Sequence, residues 1–177
     1  MRKKLADAVA RWKYIGNERP DFAIVPAEGE ESVWLYPRPP ACLPAKARIT
    51  VRDPKDGSLI ASAETSSPPV FCVPPSDVSV SLLEIPGRSS ICEFKGAATY
   101  LALPRAASKV VAWTYRHPEP EYLEIQNFVA FYPSAVDCFL GEEQVKAQKS
   151  DYYGGWVFKG LVGPWKEGRT QAWEMNS

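Results

Sequence analysis

The sequence is poor in the residues and patterns that mark catalysis by metals, phosphates or bound cofactors. It contains one histidine, His117, and four cysteines, none of which forms a Cys-x-x-C pair. The glycine-rich signatures G-x-x-x-x-G-K-[ST] and G-x-G-x-x-G are absent as well. Because closed zinc sites usually take their ligands in close pairs, we expect no metal and no cofactor.

The chain also lacks an excess of charge and a long apolar run. Its 21 basic and 21 acidic residues cancel, whereas nucleic-acid binders are normally basic because phosphate contacts supply much of their affinity. No stretch of about 18 apolar residues occurs. The basic start Arg2-Lys3-Lys4 precedes Leu5-Ala6-Asp7, where a signal peptide would be apolar. We therefore expect a cytoplasmic protein that binds neither nucleic acid nor membranes, and the low net charge leaves homo-oligomers open.

Proline and aromatic residues are abundant instead. The 17 prolines among 177 residues each remove a backbone donor and mark helix ends, turns or sheet edges. The six Trp, eight Tyr and seven Phe residues favour strands. This composition predicts an all-β, mainly antiparallel fold in which helices are short.

Residues 1–46 are predicted to form a short helix and an extended wrapping segment. Leu5, Val9 and Trp12 fall on one face of a helix over residues 1–14. That helix packs on the domain or, because it is also basic, on a membrane surface. Residues 15–46 are rich in proline and contain Trp34-Leu35-Tyr36. A free linker would hold fewer aromatic residues, so we expect this segment to wrap the β domain and insert them.

Residues 47–177 are predicted to form the β domain, with a loop-rich tail. Residues 48–52 alternate in polarity and are followed by the turn sequence Asp53-Pro54-Lys55-Asp56-Gly57, which indicates a hairpin over 47–63. A turn is predicted at Pro86-Gly87, a short helical turn at 119–124, and further turns at the glycines of 154–168. The other predicted elements are strands 70–73, 78–83 and 156–158, a hairpin of 97–103 with 109–115, and a hairpin of 128–132 with 136–140.

Five stretches resemble one family when taken in order along the chain. They read ESVWLYPRPP (31–40), SPPVF (67–71), CEFKGAATY (92–100), AWTY (112–115) and VAFYP (129–133). Together they look like the domain-of-unknown-function family numbered 427, over about residues 31–145. The resemblance implies a compact, tent-like β fold in which two small sheets lean together, and it implies no established activity.

The chain departs from the family pattern at three positions. Ser67 stands where the family usually has a histidine, and Glu93 and Phe94 replace a proline and a tyrosine. The family sometimes carries a nucleotidyltransferase label. That reaction generally needs clustered carboxylates for magnesium, and no such pair follows a Gly-Ser turn in this sequence.

The candidate site residues lie around the stretch 92–100 and the strand that follows it. Lys95, Tyr115 and His117 are the candidate catalytic residues, because Lys95 could hold an anion or donate a proton, Tyr115 could hydrogen-bond, and histidine is a common general acid or base. The candidate ligand-binding residues are Cys92, Tyr100, Trp113, Tyr132 and Trp34. We expect 92–100 and 113–117 to form opposite walls of one pocket, with a cavity between the two sheets. The alternative is that the aromatic residues are core and the polar ones are solvated.

Two functions remain open at this point. The first is a small-molecule-binding domain, including the form in which it is an acid–base enzyme that needs neither metal nor cofactor. The second is a non-catalytic protein-interaction domain that docks a partner through its aromatic and proline-rich segments.

Overall fold

Short strands dominate the structure, and their order along the chain defines an all-β, mainly antiparallel fold, as predicted. The computed structural model describes residues 6–7, 10, 12–42, 47–64, 70–150 and 152–166. The strands of this part are β1 (Glu31–Ser32), β2 (Ile49–Arg52), β3 (Leu59–Ala63), β4 (Cys72–Val73), β5 (Leu83–Cys92), β6 (Gly96–Ala102), β7 (Ala112–Thr114), β8 (Val129–Phe131), β9 (Asp137–Leu140), β10 (Glu143–Gln144), β11 (Lys146–Ala147), β12 (Trp156–Val157) and β13 (Leu161–Val162). Four 3₁₀ turns accompany them at Val33–Leu35, Pro75–Asp77, Pro104–Ala106 and Pro120–Ile125.

Two main sheets carry the fold. One has four strands in the order β10-β9-β2-β3, and the other has five in the order β4-β8-β7-β6-β5. All pairs within both sheets are antiparallel. Two small pairs, the antiparallel β11–β12 and the parallel β1–β13, tie the C-terminal part to the rest.

The apolar core fills the space between the two main sheets. Ile49, Val51 and Ile60 enter it from the four-stranded sheet, and Leu101 and Phe131 enter it from the five-stranded sheet. These five side chains are at most 2% exposed. The prediction of a cavity between the sheets is therefore wrong, because packed side chains occupy that space.

The sequence predicted most strands correctly and one pairing wrongly. The hairpins β2–β3 and β6–β7 form as expected, with Ile49 opposite Ala63 and Tyr100 opposite Trp113. The predicted third hairpin does not form, because β8 pairs with β4 and β7 whereas β9 pairs with β2 and β10. Both strands bury side chains in the same core but from opposite sheets, so the turn after β8 crosses between sheets rather than closing a hairpin.

The edge strand β5 is shifted relative to the sequence prediction. Residues 78–82 hold one isolated bridge, Val78 to Ala61, and the strand itself begins at Leu83. Pro86-Gly87 is not a turn between elements but lies inside β5, where the pairing with β6 slips between Glu84 and Ser89. Gly87 has φ +69° at this irregularity, a conformation that glycine adopts without strain.

The N-terminal segment agrees with the prediction in part, because the helix predicted over residues 1–14 does not extend to Trp12. Ala6, Asp7 and Ala10 are helical, whereas the chain is irregular from Trp12 onward. Leu5 and Val9 lie outside the described residues. Residues 12–42 contain β1 and one 3₁₀ turn and otherwise follow an irregular path. Within the described ranges, no helix is both long and apolar enough to cross a membrane.

Candidate functional site

The outer face of the five-stranded sheet, which faces away from the core, carries a cluster of aromatic side chains. Because side chains alternate along a strand, the residues beside those of the core point to this face. Tyr100 on β6 lies directly opposite Trp113 on β7, and Ala98, Ala130 and Tyr132 complete the surface. These residues form the floor of the site.

A cavity of about 690 Å³ lies above this floor. Two segments that are far apart in sequence form its roof. We call them the wrap (residues 12–42) and the tail (residues 148–166). The wrap contributes Trp12, Val33, Trp34, Tyr36, Pro37, Arg38, Pro40, Ala41 and Cys42. The tail contributes Gln148, Tyr152, Tyr153, Gly154, Gly155, Pro164, Trp165 and Lys166.

Most of the predicted site residues meet in this cavity. Seven of the eight line it: Lys95, Tyr115, Cys92, Tyr100, Trp113, Tyr132 and Trp34. The expectation that 92–100 and 113–117 form opposite walls is wrong, because β6 and β7 are hydrogen-bonded neighbours and lie side by side in the floor.

His117 is the predicted site residue that the structure does not bring to the cavity. β7 ends at Thr114, and the chain then leaves the sheet, so the His117 side chain is exposed. The backbone N–H of Glu119 donates to the Lys95 carbonyl at 3.1 Å and fixes this loop beside the turn before β6. A catalytic role for His117 in this cavity is therefore not supported.

The tail closes the cavity by placing backbone directly on the floor. A Cβ atom at Gly154 would lie 2.5 Å from Cη2 and Cζ3 of Trp113, which is too close for van der Waals contact. At Gly155 it would lie 2.3 Å from the Gln148 side-chain oxygen. Neither glycine has a positive φ, whereas Gly160 does (φ +91°). The prediction of turn glycines therefore holds at Gly160, while Gly154 and Gly155 are needed for close packing.

Hydrogen bonds donated by aromatic side chains connect the parts of the site. The Tyr100 hydroxyl donates to Ser90 Oγ at 2.9 Å, and the Tyr132 hydroxyl donates to the Tyr152 carbonyl at 3.2 Å. In the roof, Trp34 Nε1 donates to the Pro164 carbonyl at 2.9 Å, which connects the wrap to the tail. Specific contacts between three separate parts of the chain thus shape the cavity.

One end of the cavity carries two cations on a single tryptophan. The Arg38 guanidinium carbon lies 4.2 Å from the Trp12 ring centroid, and the Lys166 ammonium lies 3.3 Å from it. Trp12 Nε1 donates to Glu93 Oε1 at 3.1 Å. Burial and the neighbouring Arg38 lower the pKa of Lys166 to about 7, against the opposing influence of Glu93. We call Trp12, Arg38, Glu93 and Lys166 the cationic end.

A second polar group lies around Lys95. Its ammonium is 5.9 Å from the Tyr122 ring centroid, and its charge acts on the thiols of Cys42 and Cys72. Glu124, which also lines the cavity, acts on Cys42 with the opposite sign. Lys95 and Glu124 therefore share one region of the cavity, which we call the Lys95 end.

Two of the cavity thiols, Cys42 and Cys72, and the Tyr115 hydroxyl have raised pKa values and are held in their protonated forms. Burial raises the pKa of Cys72 to about 11 and raises the pKa of Cys42. Burial, followed by the nearby Cys92 and Cys72, raises the pKa of Tyr115. Because a thiolate rather than a thiol is the nucleophile, Cys42 and Cys72 are unsuited to covalent catalysis at neutral pH.

Comparison with known proteins places this architecture in a family. The family model described as "Domain of unknown function (DUF427)" matches residues 41–142, more than half of the chain. The chain belongs to the DUF427 family. No curated protein matches the sequence.

The region that matches DUF427 contains the floor of the site but not its two cations Arg38 and Lys166. The floor residues Tyr100, Trp113 and Tyr132 lie inside the matched region, whereas Arg38 and Lys166 lie outside it. The segments that flank the DUF427 region therefore supply Trp12 and both cations of the cationic end and most of the roof, whereas Glu93 lies inside the region. In the described ranges, no group of three or more His, Cys, Asp or Glu side chains is placed to hold a metal ion.

Sequence reasoning missed the cationic end. Arg38 lies within the quoted ESVWLYPRPP stretch, where an arginine among aromatic residues and prolines is a weak signal of a stacked cation. Trp12 was assigned to a helix face, and Lys166 is an ordinary lysine after Pro164-Trp165 in the sequence. These residues meet because the two ends of the chain cross the same sheet face.

Proposed function

We propose that this DUF427 domain binds a small organic molecule in the cavity beneath the wrap and the tail. The observation that carries the proposal is a concave space of about 690 Å³ with an aromatic floor and a few convergent polar groups. Ligand sites typically measure about 300–1,000 Å³ and combine apolar walls with a small number of polar side chains.

The orientation of the wrap also favours this proposal over a docking role for the same residues. Trp34 is 3% exposed and contributes to the roof. Tyr36 is half-buried, lines the cavity, and donates from its hydroxyl to Glu31 Oε2 at 2.8 Å. These two aromatic side chains are directed inward, where a ligand rather than a partner protein would meet them.

We extend this proposal to catalysis, in which the domain performs acid–base chemistry on the molecule that it binds. Lys95 and Tyr115 line the cavity; the raised pKa of Tyr115 keeps its hydroxyl protonated at neutral pH, so it is a hydrogen-bond donor, and Lys95 is the candidate for proton transfer. The proposal assigns no role to a metal or a bound cofactor. We place the protein in the cytoplasm, in keeping with its four free cysteines.

Filling the cavity tests the binding proposal. Ala98 lies in the floor and is 4% exposed, whereas its neighbour Ala97 is exposed. The Ala98→Leu side chain would occupy ligand space, and Ala97→Leu adds the same atoms to the same strand outside the cavity. With the neutral fluorophore N-phenyl-1-naphthylamine as probe, we expect saturable fluorescence enhancement in the wild type and in Ala97→Leu, and loss of at least about tenfold in affinity for Ala98→Leu.

Thermal unfolding of both variants accompanies the titration, since a folded Ala98→Leu is required for the comparison. Equal probe binding by wild type and folded Ala98→Leu would show that the fluorophore binds elsewhere. Absence of saturable binding by the wild type, both to this probe and to the acids used below, would refute a ligand-binding cavity.

A further inference from the structure

We propose that the ligand is a monoanionic organic acid whose carboxylate is held by Arg38 and Lys166 and whose apolar body lies on the aromatic floor. This inference rests on the proposed function, because it specifies the chemical class of the molecule in the same cavity. It assigns the cationic end as the recognition group.

Arg38 and Lys166 both pack on the indole ring of Trp12. Each lies over the Trp12 ring, at 4.2 Å and 3.3 Å from its centroid. Both line the cavity together with Glu93. Of the Arg38 guanidinium donors, Nη1 binds the Tyr14 carbonyl at 3.3 Å. A guanidinium has five N–H donors, so others remain to bind a carboxylate.

Neither cation forms an ion pair with another residue of the described part of the chain. The salt bridges between described residues are Arg105–Asp53 and Arg116–Glu84, and both lie away from the cavity lining. Glu93 acts on Arg38 and Lys166 electrostatically but lies beyond ion-pair distance of both. Two half-buried like charges held near each other are unfavourable on their own, and a bound anion would relieve that repulsion.

The charge balance selects an anion with a single charge and selects its position. Counting the described lining residues, the cationic end has two cations and one carboxylate, Glu93, whereas the Lys95 end has one cation and one carboxylate, Glu124. One positive charge is therefore in excess, and it belongs to the Arg38–Lys166 pair. A carboxylate matches this excess, and Arg binds carboxylates through planar, charge-assisted hydrogen bonds.

The aromatic floor defines the rest of the ligand. Trp113 and Tyr132 pack with ring centroids 4.5 Å apart, and Tyr100 and Tyr115 extend this surface along the sheet. Such a surface favours a flat aromatic or alicyclic body, because ring faces gain dispersion contacts and lose water on binding.

The same cluster predicts how binding depends on pH. Among the residues that the structure describes, the charged and titratable groups around Lys166 are Arg38 and Glu93, with Tyr153 acting on Arg38; burial raises the pKa of Tyr153 to about 12, so it stays neutral. Free Lys166 loses its proton near pH 7, and a bound carboxylate favours the charged lysine. Affinity for an acid should therefore be highest below pH 7 and fall as the pH rises from 7 to 9, while affinity for a neutral analogue stays constant.

The test compares 2-naphthoate with its neutral isostere 2-naphthamide, each displacing N-phenyl-1-naphthylamine from the full-length protein. We expect 2-naphthoate to bind at least about tenfold more tightly at pH 6, the equivalent of one charge-assisted hydrogen bond. Arg38→Gln and Lys166→Gln should each remove that preference and leave 2-naphthamide within about twofold. Lys13→Gln is the matched control, because it removes an exposed lysine next to Trp12 in the sequence that does not line the cavity, and it should retain the preference.

The outcomes separate this inference from the proposed function. Equal affinity for 2-naphthoate and 2-naphthamide, with cavity-dependent binding of the neutral probe, would overturn the acid assignment and leave the binding proposal intact. A tenfold preference for 2-naphthyl phosphate over 2-naphthoate would also overturn it, because the site would then select a dianion. If Lys95→Gln loses the preference for 2-naphthoate over 2-naphthamide and Lys166→Gln keeps it, the carboxylate binds at the Lys95 end, and the inference is overturned. A preference that is unchanged between pH 6 and pH 9 would contradict the role of Lys166.

Discussion

At the scale of single residues, Gly154 shows how one missing side chain shapes the site. The tail backbone lies on the Trp113 ring at a distance that leaves no room for a Cβ atom. Conformational freedom is not the reason for this glycine, since its φ is not positive. The residue is needed because floor and roof approach each other so closely that the cavity is closed at this point.

We predict that Gly154→Ala destabilises the protein by about 1–3 kcal/mol, the usual cost of overpacking. Its added carbon would meet Cη2 and Cζ3 of Trp113 at 2.5 Å, and phenylalanine lacks both atoms. In a Trp113→Phe background the same substitution should therefore cost less, and urea denaturation of the four proteins gives the coupling energy. An equal cost in both backgrounds would show that Trp113 is not what Gly154 accommodates.

At the scale of elements, the C-terminal tail has two separate roles. Trp156 on β12 is fully buried between the sheets, where it packs on Phe71 with centroids 4.8 Å apart and donates from Nε1 to the Phe131 carbonyl at 3.1 Å. Trp165, nine residues later, is half-buried and lines the cavity. The same segment thus completes the core and the roof of the site.

We predict that the two tryptophans respond differently to truncation. Trp156→Ala should lower the free energy of unfolding by about 3–5 kcal/mol, because it empties a core position and leaves the Phe131 carbonyl without its donor. Trp165→Ala should cost about 1 kcal/mol or less, since little fully buried area is lost, yet it should weaken binding of N-phenyl-1-naphthylamine. The reverse order of stability losses would contradict this division of the tail.

At the scale of the whole molecule, the four cysteines are divided between the core and the cavity lining, so their reactivity measures solvent access to both. Cys138 is fully buried in the core, and Cys42, Cys72 and Cys92 line the cavity. All four are free thiols. Their distribution means that one chemical probe distinguishes global unfolding from access to the cavity.

We predict that a thiol reagent such as 5,5′-dithiobis-(2-nitrobenzoate) reacts with four thiols per chain in denaturant and more slowly with fewer in the native state. The raised pKa of Cys42 and of Cys72 leaves little thiolate at neutral pH. Saturating N-phenyl-1-naphthylamine should slow the native reaction further, and Cys138→Ser should leave the native rate unchanged. A bound probe that has no effect on any cysteine would place it outside the cavity.

Local sequence patterns were sufficient to predict the fold class and the aromatic residues that form the cavity floor. Period-two alternation and turn chemistry at Asp53-Pro54-Lys55-Asp56-Gly57 predicted the β2–β3 hairpin. The family-like stretches around 92–100 and 112–115 indicated Tyr100, Trp113 and Tyr115. Such features are local, because neighbouring strands with a short connection encode their own pairing.

Only the tertiary structure decided which face of the sheet holds the cavity and what closes it. Alternation shows that a strand has two faces, but it does not show which face is packed and which is covered by distant chain. Long-range packing places β8 and β9 in different sheets. It also brings Arg38 and Lys166, from opposite ends of the chain, into contact with the same Trp12 ring. No local pattern records that two ends of a chain cross the same surface, so the cationic end could be recognised only once the chain was folded.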